Sequence, residues 1–199
     1  CTTGRKKRKK NAQYSRKSLE IVIVGPVNSI IDLLMGKITV FLAEDHVVVR
    51  EGLAELIRHE ADMEVVGEAG DGEETVRQVQ QLKPDIVLMD IAMPGVNGVE
   101  ATRQIKINVP QTRVLVLTAY DNPEFVTAAI EAGAVGYLLK NVRRKELTTA
   151  IRSAYEGEAV LHPSVAKIIF AQLQTPAGKL PNEKPDVLSE REFQVLQKG

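Results

Sequence analysis

The sequence predicts an α/β domain built on a doubly wound, five-stranded parallel sheet. Three observations predict it. Five short apolar runs recur between Lys37 and Leu139, each followed by apolar residues at helical spacing. Turn-forming Gly, Pro, Asn and Asp separate them. Alternating strands and helices pack most readily as right-handed crossovers on one parallel sheet.

The first strand is Ile38-Thr39-Val40-Phe41-Leu42-Ala43, ending in Glu44-Asp45, and Val49, Leu53, Leu56 and Ile57 mark the helix after it. His46 starts that helix as a partly exposed side chain. Met63 to Ala69 is the second strand, Gly70-Asp71-Gly72 a turn, and Val76, Val79 and Leu82 the apolar side of a helix that Lys83-Pro84 stops. The third strand starts near Asp85, runs through Ile86-Val87-Leu88-Met89, and delivers Asp90 to the loop Ile91-Ala92-Met93-Pro94-Gly95-Val96-Asn97-Gly98. Asn97 and Gly98 serve backbone geometry near Asp90. A helix from about Val99 to Ile107 leads to the fourth strand, Val114 to Thr118. Asp121-Asn122-Pro123-Glu124 reads as a capped helix start, with Val126, Ala129 and Ile130 facing inward and Gly133 ending the helix. The fifth strand, Val135 to Leu139, ends at Lys140, and Leu147, Ala150, Ile151, Ala154 and Tyr155 mark the last amphipathic helix.

Composition narrows the function. Of 199 residues 44% are hydrophobic, and the single cysteine, Cys1, excludes a disulfide framework and a Cys-based metal site. A reducing cytoplasm suits such a chain. The formal charge is zero, yet residues 1–36 carry eight basic and two acidic residues, leaving 18 basic and 24 acidic over the remaining 163. The body is acidic, which disfavours nucleic-acid binding there and suits a held cation.

Four divisions follow. Residues 1–36, including Arg5-Lys6-Lys7-Arg8-Lys9-Lys10, read as a basic, disordered extension; Leu19 to Leu34 is too short and polar to span a bilayer. Residues 37–156 form the α/β domain. Residues 157–187 read as a linker with a short helix around Ser164 to Leu173, and 188–199 as an incomplete helical segment. There Ser189 and Glu192 have capping-box spacing, and Leu188 and Phe193 that of a hydrophobic staple.

In an open α/β sheet the functional groups gather beyond the carboxyl ends of the strands. Those positions hold Glu44, Asp45, Asp90, Thr118 and Lys140. Three carboxylates together call for a divalent cation, and hard oxygen donors suit Mg²⁺. Asp90 can then attack a phosphoryl group, with Lys140 and Thr118 supplying charge and a hydroxyl donor, to give an aspartyl phosphate. A dinucleotide site is excluded because Ala43-Glu44-Asp45-His46 replaces the Gly-rich loop. A Mg²⁺-dependent aspartate-nucleophile phosphatase or phosphotransfer intermediate remains as an alternative. That family's acid/base Asp would stand at Ala92. A phosphorylation-independent interaction module is the third reading.

The motifs Ala43-Glu44-Asp45-His46, Met89 through Gly98, Leu117-Thr118-Ala119 and Gly136-Tyr137-Leu138-Leu139-Lys140 together resemble the response regulators of the NarL/LuxR type. The resemblance implies a flavodoxin-like (CheY-like) receiver. It implies a signalling protein rather than a turnover enzyme, with Asp90 accepting phosphate from a sensor histidine kinase. It also implies Mg²⁺ held by Glu44, Asp45, Asp90 and the Ala92 carbonyl, and a Thr118/Tyr137 switch acting on the face of the fourth helix, fifth strand and fifth helix. A homodimer through the first or fourth helix is implied on activation. Leu188 to Leu196 resembles the first helix of a LuxR-type helix-turn-helix domain, whose recognition helix would lie further on. Promoter DNA is therefore expected to engage only through the intact C-terminal domain, with no DNA-binding residue in these 199, no membrane partner and a cytoplasmic setting.

Overall fold

Alternation of apolar character along a strand decides which face each side chain covers, and the strand β1 (Ile38–Ala43) shows how this sheet is built. Val40 and Leu42 enter one core cluster, Phe41 and Ala43 another. The computed structural model describes residues 36–174. After β1 come α1 (Val47–Arg58), β2 (Met63–Ala69), α2 (Gly72–Leu82), β3 (Ile86–Met89) and α3 (Gly98–Asn108). There follow β4 (Arg113–Thr118), α4 (Pro123–Glu131), β5 (Gly136–Leu139), α5 (Arg144–Glu156), β6 (Val160–Leu161) and α6 (Pro163–Gln174).

The sheet order is β2-β1-β3-β4-β5-β6, with every pair parallel. β1 has β2 on one side and β3 on the other, so the winding reverses there and a crevice opens at the strands' carboxyl ends. Ala54 and Ile57 of α1 and Ile151 and Ala154 of α5 pack on one face; Val76 and Val79 of α2 and Ala101 and Ile105 of α3 pack on the other. A third cluster joins Ile91, Val116, Tyr137 and Leu139 to Phe125, Val126 and Ala129 of α4.

Local chemistry sets the boundaries. Asp71 caps α2 by accepting from the Glu74 N–H at 2.8 Å, and Lys83, with φ 48°, ends it in the left-handed region just before Pro84. Asn97 caps α3 by accepting from the Glu100 N–H at 3.0 Å. At the opposite rim from the crevice, Asp85 Oδ2 accepts from the Thr39 N–H at 2.9 Å and the Thr39 hydroxyl at 2.7 Å. Asp85 is thus a clasp between the starts of β1 and β3, and β3 proper begins at Ile86.

Three expectations change. The sheet has six strands rather than five: Gly157, at φ 90°, ends α5, and Val160–Leu161 then run beside β5. Two residues are too short a run to announce a strand. Asn122 stands at the N-cap of α4 without a side-chain capping bond, and Pro123 at the first position starts the helix. Val49, Leu82, Ile130 and Tyr155 lie at the solvent margins of their apolar stripes rather than in the core. The Arg113 guanidinium sits 5.9 Å from the Tyr155 ring centroid. The expectations for residues 1–35, for 175–187 and for the helix-turn-helix start at 188–199 lie outside the described residues.

Candidate functional site

Strand register places the site. Ala43 pairs with Met89 and Thr118 with Leu139, so Glu44, Asp90 and Lys140 leave the sheet at one rim beside Thr118. The ladder continues past the strands: Asp90 N–H donates to Ala43 O at 2.9 Å, Glu44 N–H to Ala69 O at 3.0 Å and Lys140 N–H to Thr118 O at 2.8 Å. Rigid backbone therefore aims four chain segments at one point.

Asp90 is buried, and both of its carboxylate oxygens have partners. Oδ1 accepts from the Ile91 N–H at 2.7 Å, and Oδ2 lies 2.7 Å from Lys140 Nζ. Lys140 also reaches Glu44 Oε2 at 2.7 Å. Burial alone would lower the Lys140 pKa, but the hydrogen bonds to Asp90 and Glu44 outweigh it and hold the ammonium above the ordinary lysine value. One cation thus bridges two buried carboxylates.

Asp45 stands at the edge of the cluster, its side chain partly exposed. Its Oδ1 atom is buried and accepts no hydrogen bond, although His46 Nδ1 lies 2.8 Å away. Glu44, Asp45, His46 and Asp90 each offer a ligand atom within 4.8 Å of the others. Asp45 Oδ1 and the buried Thr118 hydroxyl are the two buried side-chain polar atoms without a hydrogen-bond partner among the described residues. Such orphaned groups cost about 1–3 kcal/mol each and are rare away from sites that take a ligand or ion. Three carboxylates with an unused buried oxygen fit a hard divalent cation.

The loop after Asp90 is held by glycine. A Cβ on Gly98 would stand 1.9 Å from Asp90 O, and its N–H donates to Ile91 O at 3.0 Å, so the start of α3 is pressed against the Asp90 backbone. Ala92 is partly buried within this loop. Tyr137 of β5 is fully buried, and its hydroxyl donates to Tyr120 O at 2.8 Å, in the loop that follows Thr118. Burial pushes its phenol above the usual range, with Asp121 and Asp90 adding to the shift.

Two neighbours make contacts that sequence reading did not assign. His46 starts α1 and is 66% exposed, as expected, but its Nδ1 also contacts Glu44 Oε1 at 3.1 Å. The signal was the i, i+2 spacing, which turns two side chains to one side of an extended segment. Arg50, one turn into α1, donates from Nη1 to the Glu44 carbonyl at 2.5 Å and pairs with Glu68 at 3.6 Å. Nothing in its helical spacing marked it.

Comparison with known proteins identifies the family of the fold. Residues 40–152 match the family of the response regulator receiver domain. The transcriptional regulatory protein YxjL of Bacillus subtilis is 43% identical over 81% of this chain and 74% of its own length. The crystal structure of a LuxR-family two-component response regulator from Aurantimonas has 36% identity and a TM-score of 0.66, covering 69% of this chain and 99% of that one. The isolated receiver domain of RcsB from Salmonella enterica, solved with the phosphomimetic BeF3−, has 25% identity and a TM-score of 0.61 over 67% of this chain and 99% of that one. The chain belongs to the two-component response regulators of the NarL/LuxR type, and its α/β domain is their receiver.

Proposed function

We propose that Asp90 accepts a phosphoryl group from the phosphohistidine of a sensor histidine kinase, and that the resulting aspartyl phosphate governs transcription through the C-terminal domain. The observation that carries this is a buried carboxylate held from two sides, by the Ile91 N–H and the Lys140 ammonium, beside Glu44 and Asp45.

In this reading an Asp90 oxygen attacks phosphorus while the phosphorus–nitrogen bond breaks and its electron pair returns to the kinase imidazole. The Ile91 N–H fixes the carboxylate, Lys140 takes up charge on a phosphoryl oxygen, and the Thr118 hydroxyl donates to another. Glu44, Asp45, Asp90 and the Ala92 carbonyl would hold Mg²⁺, which supplies charge neutralisation at the phosphoryl oxygens. The unpartnered Thr118 hydroxyl and Asp45 oxygen support these two roles. Thr118 and Tyr137 form the switch, a role supported by the Tyr137 bond to the loop beyond Thr118.

The protein acts as a phosphoacceptor that assists its own phosphorylation, not as a turnover enzyme. No carboxylate stands at position 92 to serve as a second acid. Its setting is the cytoplasm, where it pairs as a homodimer when phosphorylated and meets promoter DNA through the helix-turn-helix domain that begins near Leu188. Among the described residues no helix is long and apolar enough to cross a membrane. Incubation with acetyl phosphate and Mg²⁺, followed by intact mass analysis, tests the reading. One hydroxylamine-labile phosphate per chain, lost in Asp90→Ala, is expected; repeated turnover of phosphate monoesters would overturn it.

A further inference from the structure

We propose that Val160–Phe170 is a built-in partner of the switch face, so that the state of Asp90 is read inside the chain by β6 and α6 before it reaches anything else. The inference rests on the reading of Asp90 as phosphoacceptor and Tyr137 as switch.

Backbone contacts fix this segment to the switch residue itself. Leu161 is the register partner of Tyr137, and the His162 N–H donates to Tyr137 O at 3.0 Å. A Cβ on Gly136 would stand 2.5 Å from Val160 O, so only glycine beside Tyr137 allows β6 to lie this close. Side-chain packing continues the attachment. Val165 is fully buried in the cluster that holds Tyr137 and the α4 residues Phe125, Val126 and Ala129, and Ile168 and Ile169 pack against it. His162 Nδ1 and the Ser164 hydroxyl, 2.7 Å apart, close the start of α6.

Two ends of one network thus meet at a single aromatic ring. The Tyr137 hydroxyl holds the loop that follows Thr118, while its backbone and ring hold β6 and α6. The ring and Val165 share one buried cluster, so a shift of the ring disturbs the packing that seats α6. Coupling of this kind is reciprocal: if phosphorylation alters α6 docking, then loosening α6 must alter the phosphorylation equilibrium by the same factor. The face of α4 and β5 is covered by the chain's own continuation, which leads toward residues 188–199.

The test uses the full chain with acetyl phosphate and Mg²⁺, following the Asp90 adduct by intact mass and amide exchange in peptides spanning 160–170. Adduct formation is expected to change exchange there by about fivefold or more, the lower end of ordinary coupling. Val165→Ala, and the milder Ile168→Ala should the first fold poorly, are expected to shift the adduct equilibrium correspondingly. Phe170→Ser, on the exposed side of α6, is expected to leave it unchanged. An adduct that forms with no change at 160–170 and no effect of either packing variant would overturn the inference and leave the phosphoacceptor reading standing. Absence of any adduct on Asp90 would overturn both.

Discussion

Lys140 and Asp90, fifty residues apart in the chain, meet at 2.7 Å with the same ammonium also 2.7 Å from Glu44. Two buried carboxylates therefore share one counter-charge. Lys140→Ala leaves them facing each other uncompensated. Complete loss of a buried partner costs about 3–5 kcal/mol, and the partial exposure of Lys140 reduces this to about 2 kcal/mol. Because a divalent cation can replace the missing charge, millimolar MgCl2 is expected to raise the melting temperature of Lys140→Ala more than that of the parent chain. Equal shifts in thermal denaturation would count against the shared-charge account.

Alkaline pH tests the same pair without mutation. Burial tends to lower the Lys140 pKa, but its carboxylate hydrogen bonds raise it above the unfolded value of about 10.4. A raised cation pKa stabilises the fold fully below the unfolded value and loses that contribution as pH rises through the folded one. Urea midpoints are expected to hold steady on this account between pH 8 and 10 and to fall above that, with a shallower fall in Lys140→Ala.

Gly98 and Gly52 make opposite predictions from one substitution. A Cβ at Gly98 would overlap the Asp90 carbonyl at 1.9 Å, so Gly98→Ala must push α3 off the phosphoacceptor loop, costing about 2 kcal/mol or more and slowing adduct formation. Gly52 lies exposed within α1 with nothing within 4 Å of a Cβ, so Gly52→Ala is expected to stabilise by about 0.5–1 kcal/mol. Chemical denaturation of the two variants, which differ in site rather than chemistry, checks both signs.

The rim of the sheet was legible because its residues follow strands whose apolar runs end abruptly. Ala43 before Glu44, Met89 before Asp90 and Leu139 before Lys140 are fully readable as strand ends, and parallel register does the rest. Helical margins were less legible: Ile130 and Tyr155 fit an apolar stripe in spacing, but the width of that stripe depends on what packs opposite. β6 was invisible since its reason lies in Gly136, a residue 24 positions earlier that makes room for Val160. Arg50 was hidden for a similar reason, since its partner is a backbone carbonyl and leaves no trace in side-chain pattern.

Acid should reveal a second ion-pair network, far from the site. Arg152 of α5 clasps Asp62 at 2.7 and 2.8 Å and Glu60 at 2.8 Å, while Arg144 reaches Glu60 at 3.1 Å. These hydrogen bonds hold the Asp62 and Glu60 carboxyls below their ordinary values, against the opposing effect of burial. Depressed carboxylate pKa values stabilise the fold above the unfolded value of about 4 and lose that effect as pH falls through the folded ones. The groups are partly exposed, so solvent screening limits Arg152→Ala to a cost of about 1 kcal/mol at pH 7. That difference from the parent chain is expected to shrink below pH 4 in thermal scans; a gap that stays constant would place the effect of Arg152 in packing instead.

Tyr137→Phe separates the ring from the hydroxyl. The ring stays in its cluster, but Tyr120 O loses the donor that now lies at 2.8 Å. A single neutral hydrogen bond of this kind is worth about 1 kcal/mol, or roughly fivefold in a local opening equilibrium. Because Asp90 keeps Lys140 and the Ile91 N–H, Tyr137→Phe is expected to accept phosphate as the parent does. Amides in the loop from Ala119 to Asn122 are expected to exchange about fivefold faster in the variant without phosphate. Unchanged exchange there would mean that the hydroxyl does not hold the loop, and the switch would have to act through the shape of the ring alone.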